Sequence, residues 1–538
     1  MKNVKYYRGK YYQGSLSDDN AEKVLELRNN TSQIVSLSHI IKDLPIHAIT
    51  DIKNKGDEYF KEHGTMEGFN IDFSKDAPLG TLRDMQTVGV GFLFYAESAL
   101  LGDEVGLGKT VQIAGLCNML KQYYATRGKE FRYCFLTELT NVGQIRDKMI
   151  RFTAEYVGML INGEQSTVRK YLADNMDKKH YSIVGGHSLL ESPEFLVYAG
   201  SRPFDLIVID ESAILKKTSS DIYKNTKSLL KNYKRIVLLN ATPIEVEVRE
   251  FYNQLDLLDK DYMPTVGDFY KQFCKMEKGM YGFRVGGYKN ADVFKEAVSL
   301  KYLARTRAGE GAHYEGNLAK QILIPMSPIQ KELSKKTTLY QLVTDYPTGV
   351  NRSVDYNPNT TPKLAALLEL LSRLDIQQDK ALIYCRFKDC QKEMARILGE
   401  KGYRCVILNG DTKAKARTQI ITDFNNGVYD ILLTNVQRGI DLETCNNCIM
   451  YTIDPNPQKM VQVEGRMTRE FDVMYKSTYM LVSQGRERKF VDEKLKSRIG
   501  QSIDFSVTGN SMIMNVISTD DEDSKQVFGE DFSVKTSN

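Results

Sequence analysis

Eight short aliphatic runs, each followed by a stretch with helical spacing, constrain this chain more than any other feature. They are "YCFLTE", "YSIVGG", "FDLIVIDE" and "RIVLLNATP" in the first half, and "KALIYC", "RCVILNG", "YDILLTN" and "CIMYTID" in the second. Residues that are apolar in succession, instead of alternating, are buried on both faces, as in a parallel sheet covered by helices. Two such sets predict two α/β domains in tandem, and 538 residues exceed what one hydrophobic core usually serves. The expected boundaries are 76–255 for the first domain and 356–505 for the second.

Between them, residues 256–355 lose the strand–helix rhythm and read as a helical insertion and linker, broken by "GFRVGGYKN" and "DYPTGVNRSVDYNPNTTP". Residues 1–75 form a small accessory segment in which "VKYYRGKYYQG" suits a hairpin. Its interleaved lysines and tyrosines could stack on bases, although a solvated hairpin face is the preferred reading. The acidic, polar tail 506–538 is expected to be disordered.

The longest apolar run, "GVGFLFYAESALLG", is short, carries Glu97 and reads as a buried helix, not a membrane span. No signal sequence is evident, so a cytoplasmic location is expected, the host's if the source is viral. Abundant Asn, Lys and Tyr and no Trp would suit an AT-rich viral or phage genome. The formal net charge of +4 decides little, because a nucleic-acid binder needs a basic face more than a basic total. Cys445 and Cys448 in "CNNC" invite a zinc site with Cys385 and Cys390. If their strands are parallel, Cys385 and Cys448 lie about 17 Å apart, which favours buried or loop thiols.

Four segments carry chemistry. In "DEVGLGKT", Gly106 and Gly108 allow backbone N–H groups around Leu107 to curl about phosphate oxygens at a helix start. Lys109 would reach the outer phosphates of ATP and the Thr110 hydroxyl would hold Mg²⁺. Asp103, however, stands where the pattern G-x-x-x-x-G-K-[ST] has its first glycine. After the strand in "FDLIVIDESAILKK", Asp210 can orient Mg²⁺ while Glu211 polarises an attacking water. "RIVLLNATPIE" adds Thr242, and "NPQKMVQVEGRMTRE" puts Gln462, Arg466 and Arg469 on one face of a helix. Guanidiniums there could stabilise charge on a transferred phosphoryl group.

The ordered series "LRDMQTVGVGFL", "DEVGLGKT", "DESA", "LLNATP", "ALIYCRF", "LLTNVQRGIDL" and "QVEGRMTR" resembles the motif set of superfamily 2 helicases, and most of all the Swi/Snf-type translocases. The resemblance covers residues 80–500 and implies two RecA-like domains that bind ATP between them. In that branch an acidic pair precedes "GLGKT", so Asp103 is a family variant. The resemblance makes Gln86 the candidate adenine contact, and Thr242 and Gln462 coupling residues. Gly439 and Asp441, in "QRGID", become candidate contacts near the nucleotide. "REFYNQLDLLDKDYMPTVGDFYKQF" and "YLARTRAGE" resemble the helical stretch and the arginine-containing segment that follow the third motif.

It also nominates Gly186, His187, Lys216, Lys217 and Ser220 for contacts to nucleic acid, against solvated or structural readings of each. The main expectation is an ATP- and Mg²⁺-dependent translocase on duplex DNA, monomeric, away from membranes, with a recruiting protein as a further partner. "QRGID", closer to DEAD-box helicases, keeps open a strand-separating helicase on DNA or RNA. A nucleic-acid-binding scaffold with a decayed ATPase is the reading of a different class.

Overall fold

All eight aliphatic runs form strands, and every strand of the two large sheets runs parallel to its neighbours. The computed structural model describes residues 16–29, 82–153, 157–175, 182–259, 262–279, 282–306, 318–436, 442, 444–467 and 476–505. The chain divides into two compact units after Thr306, with Asp504 and Phe505 grouped with the first.

In the first unit the strands are β1 (Ser98–Leu101), β2 (Tyr133–Thr137), β3 (Val157–Leu160), β4 (Ser182–Gly186), β5 (Leu206–Ile209), β6 (Arg235–Leu239), β7 (Cys274–Gly279), β8 (Gly282–Tyr288) and β9 (Tyr302–Leu303). Seven of them make the sheet β3-β4-β2-β5-β6-β1-β9, while β7 and β8 pair with each other, antiparallel. Strands such as β5 (LIVI) and β6 (RIVLL) are buried on both faces, as continuous apolar sequence requires. Because all seven are parallel, the segments that leave β1, β2, β4, β5, β6 and β9 emerge on one edge, where open α/β sheets bind ligands.

Two expectations need correction here. "GVGFLFYAESALLG" is not one helix: the helix Asp84–Ala96 stops at Glu97, whose φ of +57° is left-handed, and β1 follows at once. Lys234 holds Glu97 in that turn through an ion pair of 2.7 Å. Among the described residues no helix is long and apolar enough to cross a membrane. The segment 256–355, read as helical, contains β7, β8, β9 and one strand of the second sheet. Three glycines in "GFRVGGY" concealed β8, because glycine weakens the strand signal in a sequence. The helix Asp18–Asn29 packs on the helix Asp84–Ala96 and buries Val24 and Leu27 in the first core. "VKYYRGKYYQG" and the tail 506–538 lie outside the described residues.

The second unit is built on β10 (Leu318–Ile324), β11 (Ala381–Tyr384), β12 (Cys405–Leu408), β13 (Ile431–Thr434), β14 (Asn447–Met450) and β15 (Ser477–Ser483), in the order β10-β15-β14-β11-β13-β12. Leu382 is paired with Cys448, so Cys385 lies three residues further along, about 10 Å and not 17 Å. That is closer than expected but still too far for one zinc ion to bind both. Cys385, Cys390, Cys445 and Cys448 are buried, and burial raises the pKa of the Cys390, Cys445 and Cys448 thiols, the opposite of what a metal thiolate needs.

This unit also buries three charges. The Lys363 ammonium donates to Asp345 Oδ1 at 2.7 Å, Glu487 Oε1 at 2.9 Å and the Tyr451 carbonyl at 3.0 Å. All three ionisable side chains are fully buried. The Thr452 hydroxyl donates to Asp345 at 2.7 Å and the Ser483 N–H to Glu487 at 2.6 Å, which satisfies further oxygen lone pairs. Burial pushes the Glu487 carboxyl up to about 7 against the pull of Lys363. Burial disfavours the Lys363 cation as well, but the two carboxylates outweigh it and raise its pKa.

Candidate functional site

The loop after β1 is shaped by glycines and held by side chains. Gly106 and Gly108 have φ of +91° and +79°, left-handed values at which a Cβ would be strained. A Cβ on Gly108 would also sit 2.4 Å from Nε2 of Gln86. The helix Lys109–Ala125 begins immediately after, so its unpaired N–H groups lie against the loop. Lys109 Nζ donates to the carbonyl oxygen of Asp103 at 2.7 Å, with that of Glu104 at 3.5 Å. Burial lowers its pKa, while Asp103, Glu211, Asp210 and Glu104 oppose the shift and draw the cation toward the acids. Thr110 follows it, half-buried, in the first helical turn.

Gln86 is turned inward. Its Nε2 donates to the Leu107 carbonyl at 3.2 Å and its Oε1 accepts from the Arg83 N–H at 3.0 Å. With both ends of the amide engaged, Gln86 braces the loop. Gly108→Ala is therefore expected to lower nucleotide affinity at least about ten-fold, since it combines left-handed strain with displacement of this brace. Titration with a fluorescent ATP analogue checks this, and unchanged affinity would show that the loop tolerates the side chain.

Asp103 has a partner 202 residues along the chain. Its carboxylate is fully buried and is gripped by Arg305 from both sides, with Nε at 3.0 Å from Oδ1 and Nη2 on Oδ2. Gln112 Nε2 donates to the same Oδ2 at 2.9 Å, and Gln112 Oε1 accepts from Arg305 Nη2 at 2.8 Å. Arg305 also donates to the Met85 carbonyl. Gly89 leaves room for this cluster, because a Cβ there would fall 1.9 Å from Gln112 Oε1. A glycine at 103 would thus remove the anchor by which Arg305, just beyond β9, fixes the loop. Nothing local in the sequence ties Arg305 to Asp103.

The acid pair follows β5. Thr137 Oγ1, at the end of β2, donates to Asp210 Oδ2 at 3.1 Å, and the Asp210 N–H donates to the Leu136 carbonyl at 2.8 Å. Glu211 is held in a left-handed conformation, φ +48° and ψ +50°, costing about 1–3 kcal/mol for a residue with a Cβ. His187 lies beneath the pair, buried, with Nε2 at 2.7 Å from the Asp210 carbonyl oxygen. Burial lowers its pKa, so the ring is neutral at pH 7 and Nε2 carries the proton that it donates. His187, nominated for nucleic acid, instead supports the backbone of Asp210.

The loop after the acids and the loop after β6 are stitched together. Gln254 Oε1 accepts from the Ser212 hydroxyl and from Asn240 Nδ2, both at 2.8 Å. Its Nε2 donates to the carbonyls of Pro243 at 2.9 Å and Glu250 at 3.0 Å. Lys216 pairs with Glu245, and Asn253 Nδ2 donates to the Lys216 carbonyl at 2.7 Å. The Thr242 N–H donates to Asn240 Oδ1 at 3.0 Å, yet the buried Thr242 hydroxyl has no partner among the described residues.

The SNF2-related domain matches residues 26–343, more than half of the chain, and the helicase conserved C-terminal domain matches residues 362–470. The chain belongs to the SNF2-related family. Among its curated relatives is the uncharacterized ATP-dependent helicase YqhH of Bacillus subtilis, 24% identical over 417 residues that cover 69% of each chain. Another is the SWI/SNF-related matrix-associated actin-dependent regulator of chromatin subfamily A-like protein 1 of Xenopus tropicalis, 23% identical over 79% of this chain and 46% of the relative. The chain thus spans about half the length of that relative and of its Xenopus laevis counterpart. The SWI2/SNF2 ATPase core of Sulfolobus solfataricus, solved in complex with dsDNA, is 18% identical, covering 83% of this chain and 97% of its own, with a TM-score of 0.38. As an SNF2-related protein the chain is an ATP-dependent, helicase-like enzyme.

The remaining nominated residues of this SNF2-related chain divide. Gly186 ends β4, where a Cβ would meet the Ile161 carbonyl oxygen at 2.5 Å, so its glycine is explained by close packing. Ser220 caps the helix Asp221–Leu230 by accepting from the Tyr223 N–H at 3.3 Å. Lys216 is committed to Glu245, and only Lys217 of this group is an exposed cation. In the second unit the helix Pro457–Glu464 carries Gln462, which is buried. That helix ends before Gly465, so Arg466 sits in the following turn and does not share a helical face with Gln462. The Arg466 carbonyl accepts from the Leu442 N–H at 3.1 Å, bringing the last motif against the end of "QRGIDL". Gly439, Asp441 and Arg469 lie outside the described residues.

Proposed function

We propose that this SNF2-related ATPase moves along duplex DNA, driven by ATP bound at the loop 102–110. The observation that carries the nucleotide assignment is that the glycine loop after β1, which leads into Lys109, and the acids Asp210 and Glu211 after β5 leave the same edge of one parallel sheet. On binding, Lys109 exchanges its two loop carbonyls for phosphate oxygens, and the N–H groups of 106–110 turn to the same anion. A hydroxyl at Thr110 and a carboxylate at Asp210, already oriented by Thr137, form an oxygen donor set that suits a hard cation. Mg²⁺ held there would neutralise charge on the phosphates. Glu211 orients the attacking water and takes its proton.

The brace through Gln254 passes displacement of the acid loop to the Thr242 loop, and Thr242 offers its free hydroxyl to whatever signals the next state. DNA as the track is supported by the chromatin function named for the Xenopus relative. Grip by phosphate contacts, without reading bases, suits a motor that must pass over every sequence.

The test is steady-state ATP hydrolysis with no nucleic acid, single-stranded DNA, duplex DNA and RNA, at low and moderate salt, with Lys109→Ala as blank. Duplex DNA is expected to raise turnover at least about ten-fold, and the effect should fall as salt rises. Stimulation by single strands or RNA alone would replace translocation with strand separation. Absence of turnover in the unaltered protein would leave a binding scaffold.

A further inference from the structure

The antiparallel hairpin of β7 and β8 belongs to neither large sheet. Its base is fixed in the first core. Cys274 pairs with Tyr288, the Lys289 N–H donates to the Phe273 carbonyl at 2.9 Å, and Tyr288 meets the Phe505 ring edge-on at 5.6 Å. The rest is a two-stranded arm about 17–20 Å long. Gly286 is the extra residue of a bulge, and a Cβ there would run into the Glu277 side chain at 2.0 Å. A bulge adds twist and re-aims the strand beyond it.

On one face of this arm Phe283 stands opposite Lys278, and Met276 opposite Val285. Phe283 is 76% exposed and Met276 44% exposed, among the most exposed large apolar side chains described. Lys275, Lys278, Arg284 and Lys289 are exposed cations, with Glu277 the one acid between Lys275 and Lys289 among the described residues. Only Arg284 meets that acid, at 3.5 Å, while Lys275, Lys278 and Lys289 make no ion pair among the described residues. An arm with an outward aromatic ring and three uncompensated lysines complements an anionic polymer that carries flat apolar groups.

We propose that this hairpin binds DNA where its bases are open, at a junction between duplex and single strand, with Phe283 stacked on a base and Lys278, its neighbour on the same face, on the flanking phosphate. The inference rests on the reading of the chain as a DNA motor and adds a structural preference to it. In continuous duplex every base face is covered by its neighbours, so a ring at the end of an arm finds a partner only where stacking stops. The phosphates beside such a place serve the lysines in either strand.

The test is equilibrium binding by fluorescence anisotropy, using the full chain with a forked duplex and, as competitor, a relaxed covalently closed circular duplex. Phe283→Ala is expected to weaken fork binding about ten-fold and to leave competition by the circle unchanged. Lys278→Ala should lower the slope of log affinity against log salt on the fork by roughly 1. These side chains are exposed, so the variants keep their fold and their ATP turnover on the circle. Equal fork affinity for Phe283→Ala and the parent, or an equal loss on fork and circle, overturns the hairpin inference while the motor reading stands. No DNA binding or stimulation in the parent overturns both.

Discussion

Glu211→Gln is expected to lower ATP turnover by about two to four orders of magnitude while nucleotide binding persists. The amide has the size of the acid and can accept the same left-handed backbone, φ +48°, so the loop and its bonds through Ser212 and Gln254 remain. What disappears is a group able to take a proton from water. Lys109→Ala differs in kind, because the side chain that leaves the Asp103 carbonyl for the phosphates is gone, and both binding and turnover fall. Steady-state turnover combined with titration of a fluorescent ATP analogue separates the two patterns. Wild-type turnover in Glu211→Gln would remove Glu211 from the chemistry and leave the acid pair a structural feature of the loop.

Lys363→Met is expected to destabilise the second unit by about 3–5 kcal/mol, the usual cost of stranding buried charge. Two carboxylates, Asp345 and Glu487, lose the cation they share, and Met fills the space of the lysine stem without offering a donor. The cost should depend on pH with a definite sign. Because burial raises the Glu487 pKa to about 7 in the folded chain, above its ordinary value, its contribution to stability is present at acid pH and is lost as pH rises through about 7. The raised Lys363 pKa contributes stability throughout the neutral range, lost only at strongly alkaline pH. Without Lys363 the Glu487 carboxyl holds its proton more tightly, so the penalty should be larger at pH 8 than at pH 5.5. Urea unfolding at both values checks this, and a penalty that is equal at both would mean that the carboxyls do not change protonation with the mutation.

The strands that build the nucleotide edge were legible because their burial on both faces leaves continuous apolar sequence. The glycines of the loop were legible because left-handed backbone at 106 and 108 restricts what can stand there. What escaped was set by distance along the chain. Nothing near Asp103 announces Arg305, and nothing near Ser212 announces Gln254, because a buried polar pair leaves no periodic trace in either partner's surroundings. Local spacing also misled in one place. Gln462 and Arg466 have helical spacing, but the helix stops at Glu464 and the arginine is carried by the turn. The resemblance, not spacing, suggested His187 for phosphate contact, and in the fold its ring is buried with Nε2–H turned to the Asp210 carbonyl.

Gln254 shows what such a hidden partner does mechanically. One oxygen serves both the hydroxyl that follows the acids and the amide that precedes Thr242, and the same side chain's nitrogen ties down Pro243. A linkage made of independent bonds has play in it, since one member can slacken while the other stays put. A shared, dry acceptor has almost none: pulling Ser212 away leaves Asn240 on an oxygen whose position has already changed. In a machine that converts small steps at a phosphate into displacement elsewhere, removing backlash at this joint matters as much as supplying force.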